Sequence, residues 1–252
     1  MRLQGKTAIV TGGASGFGAG IAAKFVAEGA RVMLADINGE AAEAMAESMR
    51  SAANADVIAC TVDVSSNDSV AVMAEKAHEY FGDLDIVVNN AGITHLPNEL
   101  EAITEADFDR VLAVNTKSVY LSARHFVPAM KTRGRGVILN VASTAGVSPR
   151  PRLSWYNASK GWMITATRTM AVELAPFGVR VNAINPVAGE TPLLKTFMGE
   201  DTPEMRAKFL STIPIGRFST PEDMGNAACF LCSDEASMIT GVALEIDGGR
   251  CI

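Results

Sequence analysis

The sequence has few of the features that mark secreted, membrane or nucleic-acid-binding proteins. Its 252 residues include only 4 cysteines and 3 histidines, too few for a disulfide framework in a chain of this length. No apolar run reaches the roughly 18 residues that cross a membrane. Lys+Arg number 22 against 28 Asp+Glu, and no basic stretch favours nucleic acid. The start at Met1 leaves no room for a targeting segment before the first predicted strand. We therefore expect a soluble cytoplasmic protein that binds neither membranes nor nucleic acid.

Two of the cysteines, Cys229 and Cys232, form a CxxC pair that could be redox-active or half of a zinc site. The sequence has no second CxxC, and its histidines are scattered. Apolar residues recur at helical spacing around the pair, and cysteine is often buried. We expect two core residues of one helix and no bound metal.

Short apolar segments alternate with amphipathic ones along the chain. Strands are predicted at 7–11, 31–35, 57–62, 84–88, 136–141, 179–184 and 242–246, and helices at about 17–28, 40–50, 70–80, 108–130, 155–175 and 224–231. This alternation predicts βαβ units with right-handed crossovers. We expect an α/β fold: a doubly wound, seven-stranded parallel sheet of the Rossmann type, in three αβα layers and one domain over 1–252. The apolar segment at about 190–214 interrupts the pattern and predicts a lid over a substrate.

A TGGASGFG segment lies between the first predicted strand and helix, with the spacing TGxxxGxG at Gly12, Gly16 and Gly18. Glycines allow a dinucleotide's pyrophosphate to approach the backbone, and the helix N-terminus offers N–H groups to it. Glycine also marks plain turns, but a position between strand and helix is the context that nucleotide binding requires. We expect this turn, with Ser15 and Phe17, to bind the cofactor.

Asp36 ends the second predicted strand. A carboxylate there can accept hydrogen bonds from the adenosine ribose and repels a 2′-phosphate, and the next residue, Ile37, supplies no cation. Asp36 could also cap the helix beginning near Asn38. The pattern favours NAD (NADH) over NADP. Asp63, after the third strand, is placed to contact the adenine edge.

Tyr156 and Lys160 form a YxxxK pattern, which puts the phenol and the ammonium on one helix face. A free tyrosine with a pKa near ~10 is a poor base at neutral pH, but an adjacent cation lowers that pKa. Ser143, after the fifth strand, can hold the reacting oxygen. YxxxK occurs by chance in many helices; its pairing with a nucleotide turn and Ser143 indicates an active site.

Together these motifs resemble the compact, single-domain branch of the short-chain dehydrogenase/reductase family, which includes 3-oxoacyl reductases. The resemblance spans essentially the whole chain. Its other motifs are Asp63-Val64, Asn89-Asn90-Ala91-Gly92, Asn115, Asn185-Pro186, Thr191, Ile239-Thr240-Gly241 and Asp247-Gly248-Gly249. The resemblance implies a homotetramer that pairs the helices around 108–130 and 155–175.

The resemblance also implies a role for each residue. Tyr156 would be the general acid/base, and Ser143 would orient the carbonyl or hydroxyl. Lys160 would hold the nicotinamide ribose and lower the pKa of Tyr156, while Asn115 would support a proton-relaying water. Further cofactor contacts would come from Val64, Asn90, Ala91, Gly92, Pro186, Val187, Gly189 and Thr191. The family often has glycine where Val187 stands, so we expect a locally altered backbone path there.

The substrate pocket is less well defined by the sequence. We expect the substrate to contact His95, Ser143, Trp155, Tyr156 and Leu193, although His95 could be a solvated loop residue. The apolar lid residues could cover the substrate or pack against the domain. Arg150 and Arg152 could recognise a carboxylate or phosphate, but surface arginines beside prolines are more often solvated.

These features predict an NAD(H)-dependent oxidoreductase that acts on a small secondary alcohol or ketone. The alternative enzyme is a 3-oxoacyl-[acyl-carrier-protein] reductase, against which Asp36 argues, as does Phe177 where carrier docking would prefer a cation. An alternative of another class is a non-catalytic NAD(H)-binding sensor, but such proteins usually lose the tyrosine or the lysine.

Overall fold

The computed structural model describes residues 1–53 and 55–252. Within them, one seven-stranded sheet runs in the order β3-β2-β1-β4-β5-β6-β7, and every pairing is parallel. The strands β1 to β7 are Thr7–Thr11, Arg31–Asp36, Val57–Thr61, Ile86–Asn89, Gly136–Val141, Val179–Pro186 and Ala243–Ile246. The α-helices α1 to α9 of the described residues are Gly16–Ala27, Gly39–Ala53, Asn67–Phe81, Glu105–Leu112, Ser118–Arg133, Ser154–Leu174, Leu193–Met198, Pro203–Leu210 and Pro221–Cys232. None of these helices is long and apolar enough to cross a membrane.

Helices cover both faces of the sheet, which explains why its strands are continuously apolar. Val10 of β1 packs with Phe25 of α1 in one core cluster. Its neighbour Ile9 packs with Met73 of α3 and Phe126 of α5 in another. Successive strand residues point to opposite faces, so both must be apolar when both faces are buried. The predicted α/β fold with a seven-stranded parallel sheet of the Rossmann type is confirmed.

The strand order reverses beside β1, which lies between β2 and β4. In such sheets the crevice outside the carboxyl ends of the strands, at this reversal, is where ligands bind. The turn that follows β1, Asp36 at the end of β2 and Asn90 after β4 all reach this crevice. The topology therefore gathers residues from distant parts of the sequence at one edge.

The predicted helix at 108–130 is instead two helices, α4 and α5, joined by a π-helical turn at Ala113–Lys117. The Thr116 hydroxyl donates to the Leu112 carbonyl at 2.6 Å, and the Ser118 hydroxyl donates to the Val114 carbonyl at 2.5 Å. Hydroxyls that bond back to the preceding turn compete with the regular helical pattern. Such π turns are frequent at functional sites.

The CxxC pair lies on α9, which Thr220 and Asp223 start with a capping box. Cys229 and Cys232 are buried in the core cluster beneath α1 and the sheet, and burial raises the pKa of both thiols. In the described ranges, no group of histidine, cysteine or acidic side chains could hold a metal ion. The geometry is that of two small core residues.

Replacing Cys229 and Cys232 by alanine tests this assignment. Each substitution removes a buried sulfur, and we expect a loss of about 1 kcal/mol of unfolding free energy per site, measured by urea denaturation. Cys60→Ala, at a buried cysteine outside the pair, is the matched control and should cost a similar amount. Release of bound zinc, or redox-dependent stability confined to the pair, would contradict the packing role.

Candidate active site

A single cavity of about 480 Å³ runs along the carboxyl ends of the strands, from Asp36 at one end to Tyr156 at the other. The predicted cofactor residues that line it are Gly12, Ser15, Gly16, Phe17, Asp36, Ile37, Asp63, Val64, Asn90, Ala91, Gly92, Tyr156, Lys160, Pro186, Val187, Gly189 and Thr191. Ser143 and Leu193 line it as well. Gly18, Asn115, His95 and Trp155 do not.

The glycine turn fits a pyrophosphate. Ser15 is the N-cap of α1 but makes no side-chain hydrogen bond to the helix, unlike Thr220 at the start of α9. The first N–H groups of α1 are therefore not covered by a capping side chain and can receive an anion. Gly12 has φ 63° and a Cβ there would lie 2.9 Å from Asn90 Nδ2, so the turn requires glycine.

Gly18 has a packing role instead of the predicted contact. A Cβ at Gly18 would lie 2.1 Å from the Gly12 carbonyl oxygen. Its missing side chain lets α1 approach the turn closely, beneath the residues that line the cavity. The motif's third glycine is thus required by the helix–turn contact and not by contact with a ligand.

Asp36 presents its carboxylate to the cavity and orders the loop around it. It accepts hydrogen bonds from the backbone N–H of Ala14 at 3.1 Å and of Asn38 at 3.0 Å. Asn38, not Asp36, caps α2, because its Oδ1 accepts from the Ala41 N–H at 3.0 Å. Ile37 beside it is 72% exposed and supplies no positive charge. This end of the cavity suits ribose hydroxyls better than a phosphate.

Asp63 lines the same end of the cavity. Its Oδ1 accepts from the Ser65 hydroxyl at 2.7 Å and from the Ser65 N–H at 2.9 Å. These hydrogen bonds hold the pKa of the Asp63 carboxyl below its usual range. The group is therefore an ionised acceptor at neutral pH, as contact with an adenine edge would require.

At the other end, Tyr156 and Lys160 of α6 are 5% and 4% exposed. The Lys160 ammonium donates to the Val141 carbonyl at 2.8 Å and lies 5.9 Å from the centroid of the Tyr156 ring. Burial raises the pKa of Tyr156 to about 12 and lowers the pKa of Lys160 to about 8. The neighbouring Ser143 hydroxyl opposes the rise at Tyr156.

This is opposite to the lowered Tyr156 pKa that the YxxxK spacing predicts. Removal from water penalises the phenolate and the ammonium alike, and at 5.9 Å from the ring centroid the ammonium of Lys160 does not offset it. The protein groups alone therefore keep the phenol protonated. At neutral pH, the Tyr156 phenol is therefore available as a proton donor.

Asn115 lies behind the cavity wall. Its Nδ2 donates to the Ile93 carbonyl at 2.9 Å and to the Ser159 hydroxyl at 3.0 Å, and its Oδ1 accepts from the Ile93 N–H at 2.9 Å. A Cβ on Gly92 would lie 3.2 Å from Lys160 Nζ and 3.4 Å from Asn115 Oδ1. Asn115 thus fixes the segment after β4 against α6, and its proton-relay role stays a prediction.

Val187 follows β6 without a left-handed backbone, since Arg152, with φ 68°, is the only non-glycine residue with positive φ among those described. The Val187 N–H donates to the Ile246 carbonyl at 3.2 Å, which continues the pairing of β6 with β7. Its side chain is buried with Leu194 and Phe218. The Val187 side chain thus packs the segment predicted as a lid against the end of the sheet.

Two predicted substrate contacts lie away from the cavity. His95 is 3% exposed, with Nδ1 at 2.8 Å from the Leu96 carbonyl oxygen; it is neither a solvated loop residue nor part of the cavity wall. Trp155 packs edge-on against Phe108, with ring centroids 5.2 Å apart. Trp155 therefore packs within the protein, and His95 is buried there with its Nε2 lacking a hydrogen-bond partner.

The lid residues divide between the two predicted roles. Leu193 and Phe197 line the cavity, and the Phe197 ring meets Tyr156 edge-on at 5.1 Å between centroids. Leu194 and Met198 are buried in the cluster beneath the lid. Helical spacing in α7 explains the division, because residues four apart share a face.

The two arginines near the lid also differ. Arg150 lines the cavity, whereas the exposed Arg152 lies 3.8 Å from the Glu99 carboxylate and is not on the cavity wall. Asn157 lines the cavity without having been predicted, and Phe209, within the segment predicted as a lid, lines it as well. Asn157, next to Tyr156 in the sequence, carried no motif signal of its own.

Known proteins are similar to this chain over most of its length. A family model described as enoyl-(acyl carrier protein) reductase matches residues 12–250. The 4-formylbenzenesulfonate dehydrogenase TsaC1/TsaC2 of Comamonas testosteroni is 50% identical over 253 residues, which cover 100% of this chain and 100% of that protein.

Solved structures agree closely as well. A 3-ketoacyl-(acyl-carrier-protein) reductase from Brucella melitensis complexed with NADH is 48% identical, with a TM-score of 0.93, and the match covers 99% of this chain and 100% of that chain. A 7α-hydroxysteroid dehydrogenase complexed with NADH and 7-oxo glycochenodeoxycholic acid is 36% identical, with a TM-score of 0.93, over 98% of this chain and 95% of that chain. The chain therefore belongs to the short-chain dehydrogenase/reductase family, as its motifs predicted.

Proposed function

We propose that this protein is a dehydrogenase that interconverts a small alcohol and its carbonyl compound, with a secondary alcohol and ketone as the first candidates. The observation that carries the proposal is the continuous cavity, which is lined at one end by the glycine turn and Asp36 and at the other by Ser143, Tyr156 and Lys160. The relative from Comamonas testosteroni is named for an aldehyde, so aldehydes belong among the compounds to be tested.

The cofactor is NAD(H), as the sequence predicted. Two structural neighbours are complexed with NADH, and the Asp36 carboxylate lines the position where NADP would place a 2′-phosphate. When bound, the nicotinamide supplies hydride exchange with the carbon that bears the reacting oxygen.

The chain's own residues move the proton. In reduction, the Tyr156 phenol donates its proton to the carbonyl oxygen, and the Ser143 hydroxyl holds that oxygen in place. Lys160, fixed by its bond to the Val141 carbonyl, adds positive charge beside the pair. In oxidation the same groups act in reverse, and Phe197 shields them from water.

A 3-oxoacyl-[acyl-carrier-protein] reductase remains the second candidate, favoured by the neighbour from Brucella melitensis. Phe177, which is 42% exposed, argues less strongly against docking of a carrier protein than the sequence indicates. Lys131 Nζ lies 3.9 Å from its ring centroid. A cation is therefore present on that surface. Comparing rates with an acyl-carrier thioester and with free carbonyl compounds separates the two candidates.

We also propose a cytoplasmic homotetramer of single-domain subunits whose segment at about 190–214 serves as a lid. Tyr120 on α5 and Trp162 and Val172 on α6 are 54%, 44% and 77% exposed. Apolar side chains in such positions suit pairing between copies of the chain.

Tyr156→Phe tests the proposed chemistry and also the sensor alternative. We expect kcat for NADH-dependent reduction, followed by NADH absorbance with a panel of ketones and aldehydes, to fall by about 100-fold to 10,000-fold. NADH affinity, measured by fluorescence, should stay within about twofold. Tyr80→Phe, at a partly exposed tyrosine that does not line the cavity, is the control. Comparable rates in Tyr156→Phe would remove it from this role, and wild-type NADH binding without any turnover would favour the sensor.

Cofactor choice is expected to depend on the charge of Asp36. Asp36→Ala and Asp36→Asn should each narrow the NADH-over-NADPH preference by about tenfold or more in kcat/KM, because both remove the repulsion of a 2′-phosphate. Asp68→Asn, at an exposed residue of α3 that does not line the cavity, should leave the ratio of NADH to NADPH activity unchanged. An unchanged ratio in both Asp36 variants refutes the assignment.

The rates in the two directions should depend differently on pH. Alcohol oxidation needs the phenolate of Tyr156, whose fraction rises with pH below the raised pKa of about 12, so kcat/KM for oxidation should increase from about pH 6 to about pH 9. The increase should become shallower above the Lys160 pKa of about 8, where the cation that favours phenolate is lost. Reduction uses the protonated phenol and should stay flat or fall. Oxidation that slows steadily with rising pH would exclude Tyr156 as the base.

A further inference from the structure

One wall of the cavity carries a guanidinium that the proton chemistry does not use. The Arg150 guanidinium lies 4.4 Å from the ring centroid of Phe209, and its Nη2 donates to the Thr212 hydroxyl at 3.1 Å. The Arg150 carbonyl accepts from Asn157 Nδ2 at 2.7 Å. Contacts therefore hold Arg150 to α6 on one side and to the proposed lid segment on the other.

A second guanidinium lies close to the first. Arg250 Nη1 donates to the Ser148 hydroxyl at 3.0 Å, and Arg250 Nε is buried without a hydrogen-bond partner. Burial lowers the pKa of Arg150, and the positive charge of Arg250 also lowers it, because like charges disfavour each other. Because Ser148 accepts from Arg250, its own proton is available to a group in the cavity that it lines.

Neither cation has a counter-ion among the residues that the structure describes. Elsewhere in the fold Arg31, Arg133 and Arg217 each lie within ion-pair distance of an aspartate. A partly buried charge without an opposite charge is unfavourable, and two that repel each other are more so. The wall at Arg150 and Arg250 is therefore complementary to an anion that the chain itself does not supply.

The positions of other residues in the cavity place the Arg150 charge on the same wall as the reacting groups. Ser148 and Arg150 lie on the segment that connects Ser143 to Tyr156, and all four residues line the cavity. Phe197 lines it too and contacts the Tyr156 ring. A molecule whose carbonyl meets Tyr156 can rest an apolar body against Phe197 while an anionic group meets Arg150.

We propose that Arg150 and Ser148, backed by Arg250, form an anion subsite, and that the substrate carries a carboxylate or a sulfonate separated from its reacting carbon by an apolar body. This inference rests on the proposed function and narrows its substrate class. A guanidinium binds either oxyanion through charge-assisted hydrogen bonds, and the Ser148 hydroxyl adds a further donor.

Three probes of similar shape test the inference: 4-formylbenzoate, 4-formylbenzenesulfonate and the neutral 4-formylbenzamide, each reduced with NADH. We expect the wild-type kcat/KM for at least one anionic probe to exceed that for the amide by about tenfold or more. In R150M, which keeps an apolar stem over Phe209, this anionic-to-neutral ratio should fall by about tenfold, mainly through KM. R150K should restore part of it, and R152M, at the exposed arginine, should leave it unchanged. The ratio between the two anionic probes distinguishes carboxylate from sulfonate.

A binding measurement keeps the inference separate from turnover. Calorimetric titration of benzoate and benzenesulfonate into the NADH-loaded protein should give a Kd that rises by about tenfold in R150M and rises with ionic strength. If no probe is reduced but this binding holds, the proposed function fails and the anion subsite stands. If the probes are reduced while R150M changes neither the ratio nor the Kd, the subsite is wrong and the proposed function stands. Thermal unfolding of each variant verifies that it folds.

Discussion

The removal of water from around Tyr156 and Lys160 is the physical constraint on which the rest of the site depends. Both side chains are buried in a cavity wall, and burial shifts their pKa values in opposite directions, to about 12 and about 8. The raised pKa of Tyr156 widens the pH range over which the phenol carries its proton. The ammonium of Lys160 does not offset the burial of Tyr156, so formation of the phenolate would also draw on the positive charge of a bound oxidised cofactor.

The topology of the sheet joins the cofactor end and the substrate end of the cavity. The reversal of strand order beside β1 opens a crevice at the carboxyl ends of the strands, where the glycine turn and Asp36 meet the ends of β5 and β6. Asn115, in its π-helical turn, connects the segment after β4 to α6 through two hydrogen bonds to Ile93 and one to Ser159. Val187 and the buried cluster around it pack the segment predicted as a lid beside the same opening. Cofactor and substrate would therefore share one continuous space.

Much of this arrangement could be predicted from the sequence, because strands buried on both faces are continuously apolar and because the glycine turn has a fixed local context. The residues that the sequence misplaced depend on packing between distant segments. Trp155 turns to Phe108, His95 is enclosed within its own loop, and the helix at 108–130 is interrupted by hydroxyls that bond to its backbone. The anionic preference that we infer at Arg150 depends on a second arginine 100 residues away at the C-terminal end, which no local pattern reveals.

The pKa of Tyr156 itself tests the account most directly. The chain has 3 tyrosines, so NMR of protein labelled with ¹³C at the tyrosine ζ carbon, assigned with Tyr156→Phe, can follow each phenol through a pH titration. We predict a Tyr156 pKa of about 12 in the protein without cofactor and a lower value once NAD⁺ adds its positive nicotinamide. A pKa at or below the ordinary value of about 10 without cofactor would contradict it.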